Sequence, residues 1–233
     1  MAKKRGRYSS PAQIERRQRI LRQTVLLLEA EGLASFSMSR IAEMSSVSTK
    51  TLYNLFSNRA ALLLAAAANL LDEVESSDVL LNSEPGVPRI LGFTESVMSL
   101  FQRSPDFMES VISVIMQISP EEEAEHHRMS RVQKSSYEAL LVANEQGELL
   151  PDTDCLQLSQ LLAESQWGAT LLWQKHLISL EQLAQHTLLM HCIVLMPFCT
   201  EERRSWLESK MRTLMGEGSV ESVPEQLLKV VNA

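Results

Sequence analysis

Apolar residues recur at the three- and four-residue spacing of an α-helix along almost the whole of this 233-residue chain. Neither the two-residue alternation of a half-buried strand nor an Asn-Gly hairpin turn interrupts this pattern. The composition agrees, because 8 Gly and 8 Pro are few for a turn-rich β protein. We therefore predict an all-α fold, and the length allows either one large domain or a small domain joined to a larger one.

Four helices are predicted before a Pro-Gly break at residues 82–86. The first runs from Pro11 to Gly32, and the glycine supplies its C-terminal stop. The second and third begin at Ser37 and Ser48, because serine is a favourable N-cap, and the fourth spans 60–81. The positions expected to be buried in the first three helices are Ile14, Ile20, Leu21, Val25, Leu27, Leu28, Met38, Ile41, Ala42, Leu52, Leu55 and Phe56.

Beyond the break, helical periodicity continues to about residue 215. Proline-containing junctions at residues 104–106, 119–121 and 150–152 divide this part of the chain. The predicted helices lie at about 87–103, 106–118, 121–146, 153–177, 180–196 and 200–215.

Charge is distributed unevenly along the chain. The formal net charge is −7, yet residues 1–60 carry 11 basic and 4 acidic residues, a local charge of +7. The remaining residues therefore carry −14. This imbalance predicts a head, residues 1–60, that binds a polyanion, attached to an acidic body that does not itself lie on nucleic acid.

Two short helices joined by a tight turn, at 37–45 and 48–56, have the size and apolar pattern of a helix-turn-helix. In that motif the first helix positions the second, which enters the major groove and presents exposed side chains to base edges. An ordinary helical hairpin within a helical protein has the same spacing. The positive charge of the head favours the DNA-binding interpretation.

The residues of the head resemble the TetR family of transcriptional repressors. The matching runs are RRQRIL at 16–21, EG at 31–32, FSMSRIA at 36–42, VSTKTLYNLF at 47–56 and RAAL at 59–62. The rest of the chain resembles the family in helix count, in length and in the turn EQGELLPD at 145–152. The resemblance implies a DNA-binding helix-turn-helix domain at 1–60, a linking helix at 60–82, and a helical effector-binding and dimerisation domain within 61–233.

The same resemblance implies which residues meet DNA. Base reading would fall to Lys50, Thr49 and Asn54, because the Tyr and Ser hydroxyls and the helix N-termini chiefly position the protein on phosphates. A solvated helix face would leave the same side chains exposed, and the N-terminal arm could attract phosphates without entering the minor groove. The implied DNA-binding residues are Ser37, Ser39, Arg40, Ser48, Thr49, Lys50, Thr51, Tyr53, Asn54 and Arg59, with Lys3, Lys4, Arg5 and Arg7 of the arm.

Two positions depart from the family pattern. Ser46 stands where glycine is usual, and we expect a positive φ there, which a side chain resists by about 1–2 kcal/mol. Lys50 replaces another frequent glycine and places a long cation where relatives approach DNA with bare backbone. The operator preference of relatives therefore cannot be transferred to this chain.

The family resemblance further implies a homodimeric repressor on a near-palindromic DNA operator. We expect the dimer interface on the helices near 153–177 and 180–196, where small and large apolar residues suit a four-helix contact. Packing within one subunit would explain the same pattern. The candidate interface residues are Leu158, Leu161, Leu162, Ala169, Leu172, Leu188, Cys192 and Leu195.

A small-molecule effector is expected to release the repressor from DNA. The predicted helix at 106–118 is apolar around most of its circumference, more than one core-facing stripe requires. Methionine and aromatic side chains suit an adaptable apolar pocket, so the ligand should be largely apolar, although a plain core would look alike. The candidate pocket residues are Phe93, Met98, Phe101, Phe107, Met108, Ile112, Met116, Tyr137 and Trp167.

Several other classes of protein lack support in the sequence. No Gly-rich phosphate loop, nucleophile elbow or HExxH helix occurs, so we predict neither an enzyme nor a cofactor. The pairs His126 with His127 and His186 with His191 have poor metal-ligand spacing, which argues against a metal sensor. Three cysteines fit a reducing cytoplasm, and no apolar run approaches the roughly 20 residues that a membrane span requires. The main alternative is a helical interaction protein of the same fold that has lost specific DNA binding.

Overall fold

The structure is a computed structural model that describes residues 10–117 and 128–217. Regular structure in these residues is helical, apart from one isolated antiparallel bridge between Leu149 and Cys199. The all-α prediction is therefore confirmed. No helix in the described ranges is both long and apolar enough to cross a membrane.

The helices follow the predicted order closely. Serine N-caps begin α2 and α3 as expected, since the Ser37 hydroxyl accepts from the Arg40 N–H at 3.2 Å and Ser48 accepts from the Thr51 N–H at 3.1 Å. In chain order the helices are α1 Pro11–Ser35, α2 Met38–Met44, α3 Thr49–Leu55, α4 Arg59–Glu75, α5 Asp78–Leu81, α6 Val87–Arg103, α7 Pro105–Ile115, α8 Arg128–Glu145, α9 Cys155–Gln174, α10 Leu180–Leu195 and α11 Glu201–Glu217, with a 3₁₀ turn at Met196–Phe198.

The prediction of one continuous fourth helix over 60–81 is wrong, because a serine pair divides it into α4 and α5. The Ser76 hydroxyl donates to the Asp72 carbonyl at 2.7 Å, and the Ser77 hydroxyl accepts from the Leu80 N–H at 3.3 Å as the cap of α5. Serine side chains that bond to nearby backbone compete with the helical pattern in this way.

The first helix also differs from its prediction at Gly32. This residue has φ 70° and ψ 178°, so it bends the helical path, and helical residues continue to Ser35. Glycine adopts such a positive φ without the steric cost that a side chain would bring. The expected stop is therefore a kink, and the chain leaves α1 at Phe36.

The described chain packs as two compact units. Unit 1 contains residues 10–82, 95–117 and 128–129, and unit 2 contains residues 83–94 and 130–217. In unit 1, α1 packs against α2, α4 and α7, and α4 packs against α7. These packing units do not test the boundary at residue 60 between the DNA-binding domain and the effector domain, which stays a prediction.

Most apolar positions predicted for the first three helices are buried. Among them, Ile20, Leu28, Ile41 and Leu52 are each 0% exposed. Two predictions are wrong, because Ile14 is 49% exposed and Leu55 is 37% exposed. Ile14 precedes the buried stretch of α1. Leu55 lines an open cleft of about 510 Å³ beside α3, whose other lining residues include Arg17, Tyr53, Ala61 and Ala65.

Side chains of α8, α9, α10 and α11 contribute to the apolar core of unit 2. The helices α9 and α10 pack closely against each other. The most deeply buried side chains of this core are Val87, Ile90, Leu140, Ala143, Leu158, Leu162, Cys192, Leu195, Cys199 and Leu207.

A buried carboxylate, that of Glu148, joins distant segments of unit 2. Its Oε2 accepts from the Val87 N–H at 2.8 Å and its Oε1 from Arg203 at 2.5 Å, while its backbone carbonyl accepts from the Thr200 N–H at 2.9 Å. We call this set of contacts the Glu148 junction. A glycine is required at position 86, beside this junction, for two reasons. A Cβ on residue 86 would lie 2.5 Å from the Glu148 carboxylate, and the φ of Gly86 is 86°. The carboxylate thus serves α6 in place of an N-cap side chain.

Candidate nucleic-acid interface

The turn between α2 and α3 has the geometry expected of a helix-turn-helix connection. The Ser46 N–H donates to the Glu43 carbonyl at 3.0 Å and the Val47 N–H to the Ala42 carbonyl at 2.9 Å. Ser46 has φ 53°, which confirms the positive φ predicted at this non-glycine position. A side chain is held there in a conformation that usually belongs to glycine.

The helix α3 presents one polar face to solvent. Thr49, Lys50, Tyr53 and Asn54 are exposed, whereas Leu52 is fully buried. Thr49 with Tyr53, and Lys50 with Asn54, are four residues apart and therefore lie side by side on the helix. The structure thus brings together the three predicted base-reading residues and the tyrosine.

The hydroxyl residues predicted to meet phosphates cluster at the starts of α2 and α3. Ser37 lies 3.1 Å from the Ser39 hydroxyl, and Ser48 lies 2.8 Å from the Thr51 hydroxyl. All four residues retain some exposure. Their side chains therefore set where the two helices begin while they remain at the surface.

Arg40 is engaged with acidic neighbours in the unbound protein. Its Nη2 lies 3.0 Å from Glu31 Oε1, and its Nη1 lies 4.0 Å from Glu43 Oε2. The hydrogen bond that Arg40 donates to Glu31 is the main cause that raises the pKa of Arg40. A DNA phosphate would have to compete with Glu31 for this guanidinium.

Arg59, the first residue of α4, also has partners within the head. Its Nη2 donates to the Leu33 carbonyl at 2.7 Å, and its guanidinium lies 4.8 Å from the centre of the Phe36 ring. It remains exposed. The side chain therefore ties α4 to the segment that follows the kink in α1, a contact that sequence reasoning missed.

Two arginines of α1 contact the segments on either side of α3. The Arg19 Nε donates to the Ser45 carbonyl at 3.2 Å, and the Arg17 guanidinium lies 4.6 Å from the centre of the Phe56 ring. Sequence reasoning counted both residues only as positive charge. No local signal could have found these contacts, because the partners are far away along the chain.

The basic arm, with Lys3, Lys4, Arg5 and Arg7, lies outside the described residues. The assignment of the arm to DNA therefore stays a prediction. So does the DNA-binding role of each surface residue of the head, since exposure alone is also compatible with a solvated helix face.

Most candidate pocket residues are buried. Tyr137 and Trp167 are partly exposed, and Met116, the C-cap of α7, is 54% exposed, so Met116 does not line an enclosed site. The buried members are Phe93, Met98, Phe101, Phe107, Met108 and Ile112. They are distributed over both compact units, and the pocket stays a prediction because an apolar core also buries them.

The start of α7 is bonded to α1 through Glu29. The Phe107 N–H donates to Glu29 Oε1 at 2.9 Å, while Ser104, the N-cap residue of α7, makes no side-chain capping bond. Partial burial raises the pKa of Glu29. The hydrogen bond from the Phe107 N–H acts to lower this pKa, and the nearby charge of Asp106 acts to raise it. A side chain of the helix-turn-helix unit thus caps a helix that carries candidate pocket residues.

The candidate dimer residues divide into two groups. Leu161 and Leu172 are 41% and 44% exposed and remain available to a partner. The others are buried within unit 2, as the alternative of packing within one subunit predicts, and their place in a dimer interface stays a prediction. These buried positions are Leu158, Leu162, Ala169, Leu188, Cys192 and Leu195.

The buried histidine of α10 belongs to the interior of unit 2. His191 Nδ1 lies 2.9 Å from the Thr94 hydroxyl, and its Nε2 lies 3.1 Å from the Leu162 carbonyl. Burial lowers the pKa of His191 to about 4. Across residues 10–117 and 128–217 no group of three His, Cys, Asp or Glu side chains could hold a metal ion, and His126 and His127 lie outside that part.

Comparison with known proteins agrees with this geometry. Residues 20–66 match the family described as "Bacterial regulatory proteins, tetR family". The chain is 31% identical over 111 residues to the transcriptional repressor KstR of Rhodococcus jostii, in a match that covers 46% of this chain and 51% of that repressor. The match thus spans about half the length of the curated relative.

Solved structures resemble the chain over a greater length. A TetR transcriptional regulator from Rhodococcus sp. RHA1 matches with a TM-score of 0.61 and 16% identity, covering 80% of this chain and 99% of that one. The repressor FadR of Thermus thermophilus, solved in complex with lauroyl-CoA, matches with a TM-score of 0.58 and 20% identity, covering 89% and 97% of the two chains. At these identities the likeness shows a shared fold.

Proposed function

We propose that this chain, which belongs to the TetR family of bacterial regulatory proteins, is a sequence-specific transcriptional repressor. The observation that carries the proposal is the exposed face of α3, on which Thr49, Lys50, Tyr53 and Asn54 lie above a single buried anchor, Leu52. Such a face fits the major groove when the preceding helix rests against the DNA backbone. The family comprises transcriptional regulators, so catalysis forms no part of the proposal.

In this proposal each part of the head has its own task on double-stranded DNA. Lys50 donates to acceptors on base edges, with Thr49 and Asn54 beside it, and Tyr53 and the serine hydroxyls bond to phosphates. Arg40 reaches a phosphate after it leaves Glu31. The arm adds electrostatic attraction along the minor groove.

We further propose a homodimer that reads a near-palindrome. Two heads must reach successive major grooves about 34–36 Å apart, or a multiple of this distance. The exposed apolar side chains of α9 and α10 offer the surface for pairing, because such side chains gain by leaving water. Besides Leu161 and Leu172 they include Leu171, Met190 and Ile193, which sequence reasoning missed.

The effector in this proposal is a small, largely apolar molecule that releases the dimer from its operator. Support comes from unit 1, where α7 packs against both α1 and α4 and is capped by Glu29. A ligand that moves α7 would therefore disturb the helix that supports the helix-turn-helix. Release requires that the ligand bind the DNA-free conformation more tightly than the DNA-bound conformation. The site of action would be the cytoplasm, where the operator lies.

Selection of duplexes from a randomised library tests the DNA-binding proposal. We expect a near-palindromic site, and Lys50→Ala should relax its sequence preference, while Ser57→Ala, just beyond α3, serves as the matched control. Binding should weaken by about 10³-fold or more between 50 and 200 mM salt if six or so phosphates are contacted. A protein that enriches no sequence would instead be a helical interaction protein of the same fold.

Two measurements test the other parts of the proposal. Sedimentation should show a dimer at micromolar concentration, and a monomer would remove that claim. Thermal-shift screening, with lauroyl-CoA and apolar drugs as the first probes, should find ligands that raise the melting temperature. Each ligand's affinity should fall in the presence of the selected duplex, and equal affinity in both conditions would contradict release by the effector.

A further inference from the structure

The recognition helix α3 is held with little apolar packing of its own. It has seven residues, and Leu52 is its buried side chain. Apart from its packing against α2, a helix of two turns with one buried side chain has few contacts that fix its orientation. Contacts made just before and just after α3 can therefore contribute to its orientation.

Arginines from α1 contact the residue that ends α2 and the residue that ends α3. Before α3, Arg19 Nε donates to the carbonyl of Ser45, next to Ser46 with its positive φ. After α3, the Arg17 guanidinium lies over the ring of Phe56, the residue that ends the helix. The two contacted residues, Ser45 and Phe56, flank α3 in the sequence.

We propose that Arg17 and Arg19 are positioning residues, which orient α3 for sequence recognition and do not neutralise DNA phosphates. This inference rests on the proposed DNA-binding function. It assigns two of the basic residues of the head to internal contacts. The salt dependence of binding should therefore be smaller than the basic residue count of the head suggests.

The contacts require a guanidinium group in particular. A guanidinium combines directed N–H donors with a flat face that stacks on an aromatic ring, while an ammonium is a compact point charge on a flexible stem. Replacement of arginine by lysine therefore weakens the positioning contact, because lysine lacks the flat face and the fixed fork of donors, and keeps the charge. A phosphate contact, in contrast, largely survives this replacement, because lysine also binds phosphate.

The main experiment compares Arg17→Lys and Arg19→Lys with Arg16→Lys, an exposed neighbour on α1. The probes are the duplex selected by the wild type and a scrambled duplex of the same composition. We expect Arg19→Lys to weaken binding to the selected duplex about tenfold, as loss of a charge-assisted hydrogen bond does, and Arg17→Lys about threefold. Binding to the scrambled duplex should not change, and Arg16→Lys should match the wild type on both probes.

A second measurement separates positioning from phosphate contact directly. The affinity of Arg19→Gln is measured against salt concentration, and the logarithmic slope should equal that of the wild type. A residue that contacts a phosphate would lower the slope by about 0.9. Circular dichroism melting gives the folded fraction at the assay temperature, and affinities are expressed per folded protein. If Arg19→Lys does not fold, Arg17→Lys carries the comparison alone.

The inference would be overturned if the lysine variants bound the selected duplex as tightly as the wild type does. A slope lowered by about 0.9, with equal loss on both duplexes, would also overturn it. Failure of the underlying function has a different signature. In that case the wild type itself would select no duplex, before any variant is compared.

Discussion

The helix-turn-helix of unit 1 and the Glu148 junction of unit 2 are held together by different kinds of contact. In the head, exposed arginines reach backbone carbonyls and aromatic rings, as Arg59 does with Leu33 and Phe36. In unit 2 the buried Glu148 carboxylate bonds to Val87 and Arg203. Exposed contacts of charged groups are weak and exchangeable in water, whereas a buried charge is costly to leave without its partner.

This difference suggests that the two regions serve different needs. A DNA-binding head must exchange some internal contacts, such as that of Arg40 with Glu31, for contacts with phosphates, and weak surface contacts permit that exchange. The Glu148 junction exchanges no contacts with DNA in this proposal, so its buried hydrogen bonds can serve the stability of the fold alone. Changes in unit 2 should therefore affect folding, and changes in the head should affect DNA binding.

The largest expected effect comes from Glu148→Ala. Loss of the carboxylate leaves the buried Val87 N–H without its acceptor and leaves Arg203 with only the exposed Glu84 carboxylate as an ion-pair partner. The free energy of unfolding should therefore fall by about 3 kcal/mol. Urea unfolding followed by circular dichroism measures this change. Glu84→Ala is the control, because Glu84 contacts the same arginine at 2.9 Å but is 61% exposed, so its loss should cost about 1 kcal/mol or less. Equal losses in the two variants would remove the contrast.

The second effect is a pH dependence from His191 in unit 2. Its pKa is about 4 in the folded protein and 6.5 when unfolded, so between these pH values the unfolded chain binds a proton that the folded protein does not. Stability should therefore fall by about 3 kcal/mol as the pH falls from 6.5 to 4. His191→Gln should flatten this part of the profile, and His186→Gln on the same helix should not. Parallel profiles for wild type and His191→Gln would contradict the assignment.

A smaller effect, of opposite sign, is expected in the head. Ser46→Gly should raise the free energy of unfolding by about 1 kcal/mol, because glycine adopts the positive φ without steric cost. Thermal unfolding measures the change. Ser45→Gly is the matched control and should destabilise, since Ser45 is buried and has φ −89°. A lower melting temperature for Ser46→Gly would show that the turn is not strained.

The smallest effect should appear in DNA binding alone. Glu31→Gln removes the nearest acidic partner of Arg40 and leaves the guanidinium free to meet a phosphate. Affinity for the selected duplex should rise about two- to fivefold, in line with the weakness of exposed ion pairs, while the melting temperature stays the same. Glu43→Gln, whose carboxylate is 4.0 Å from Arg40, should have less effect. Unchanged affinity in Glu31→Gln would place Arg40 away from DNA.

Several features of the site followed from the sequence alone. The starts of α2 and α3, the positive φ at Ser46 and the exposed face of α3 were all predicted, and the structure confirms them. Each depends on residues within a few positions, such as a serine cap or an apolar residue in every turn. Local interactions of this kind operate wherever the segment is placed.

Only the tertiary structure decided where the long side chains go and which apolar residues remain exposed. Arg19 and Arg59 each bond to a carbonyl 26 residues away, and no local pattern marks either partner. On α9, Leu158 and Leu162 are buried within the subunit while Leu161 is exposed, although all three fit an apolar contact in the sequence. Amphipathic spacing shows that a helix buries one face, but the neighbouring helices determine how far that burial extends and which carbonyls lie within reach of an arginine.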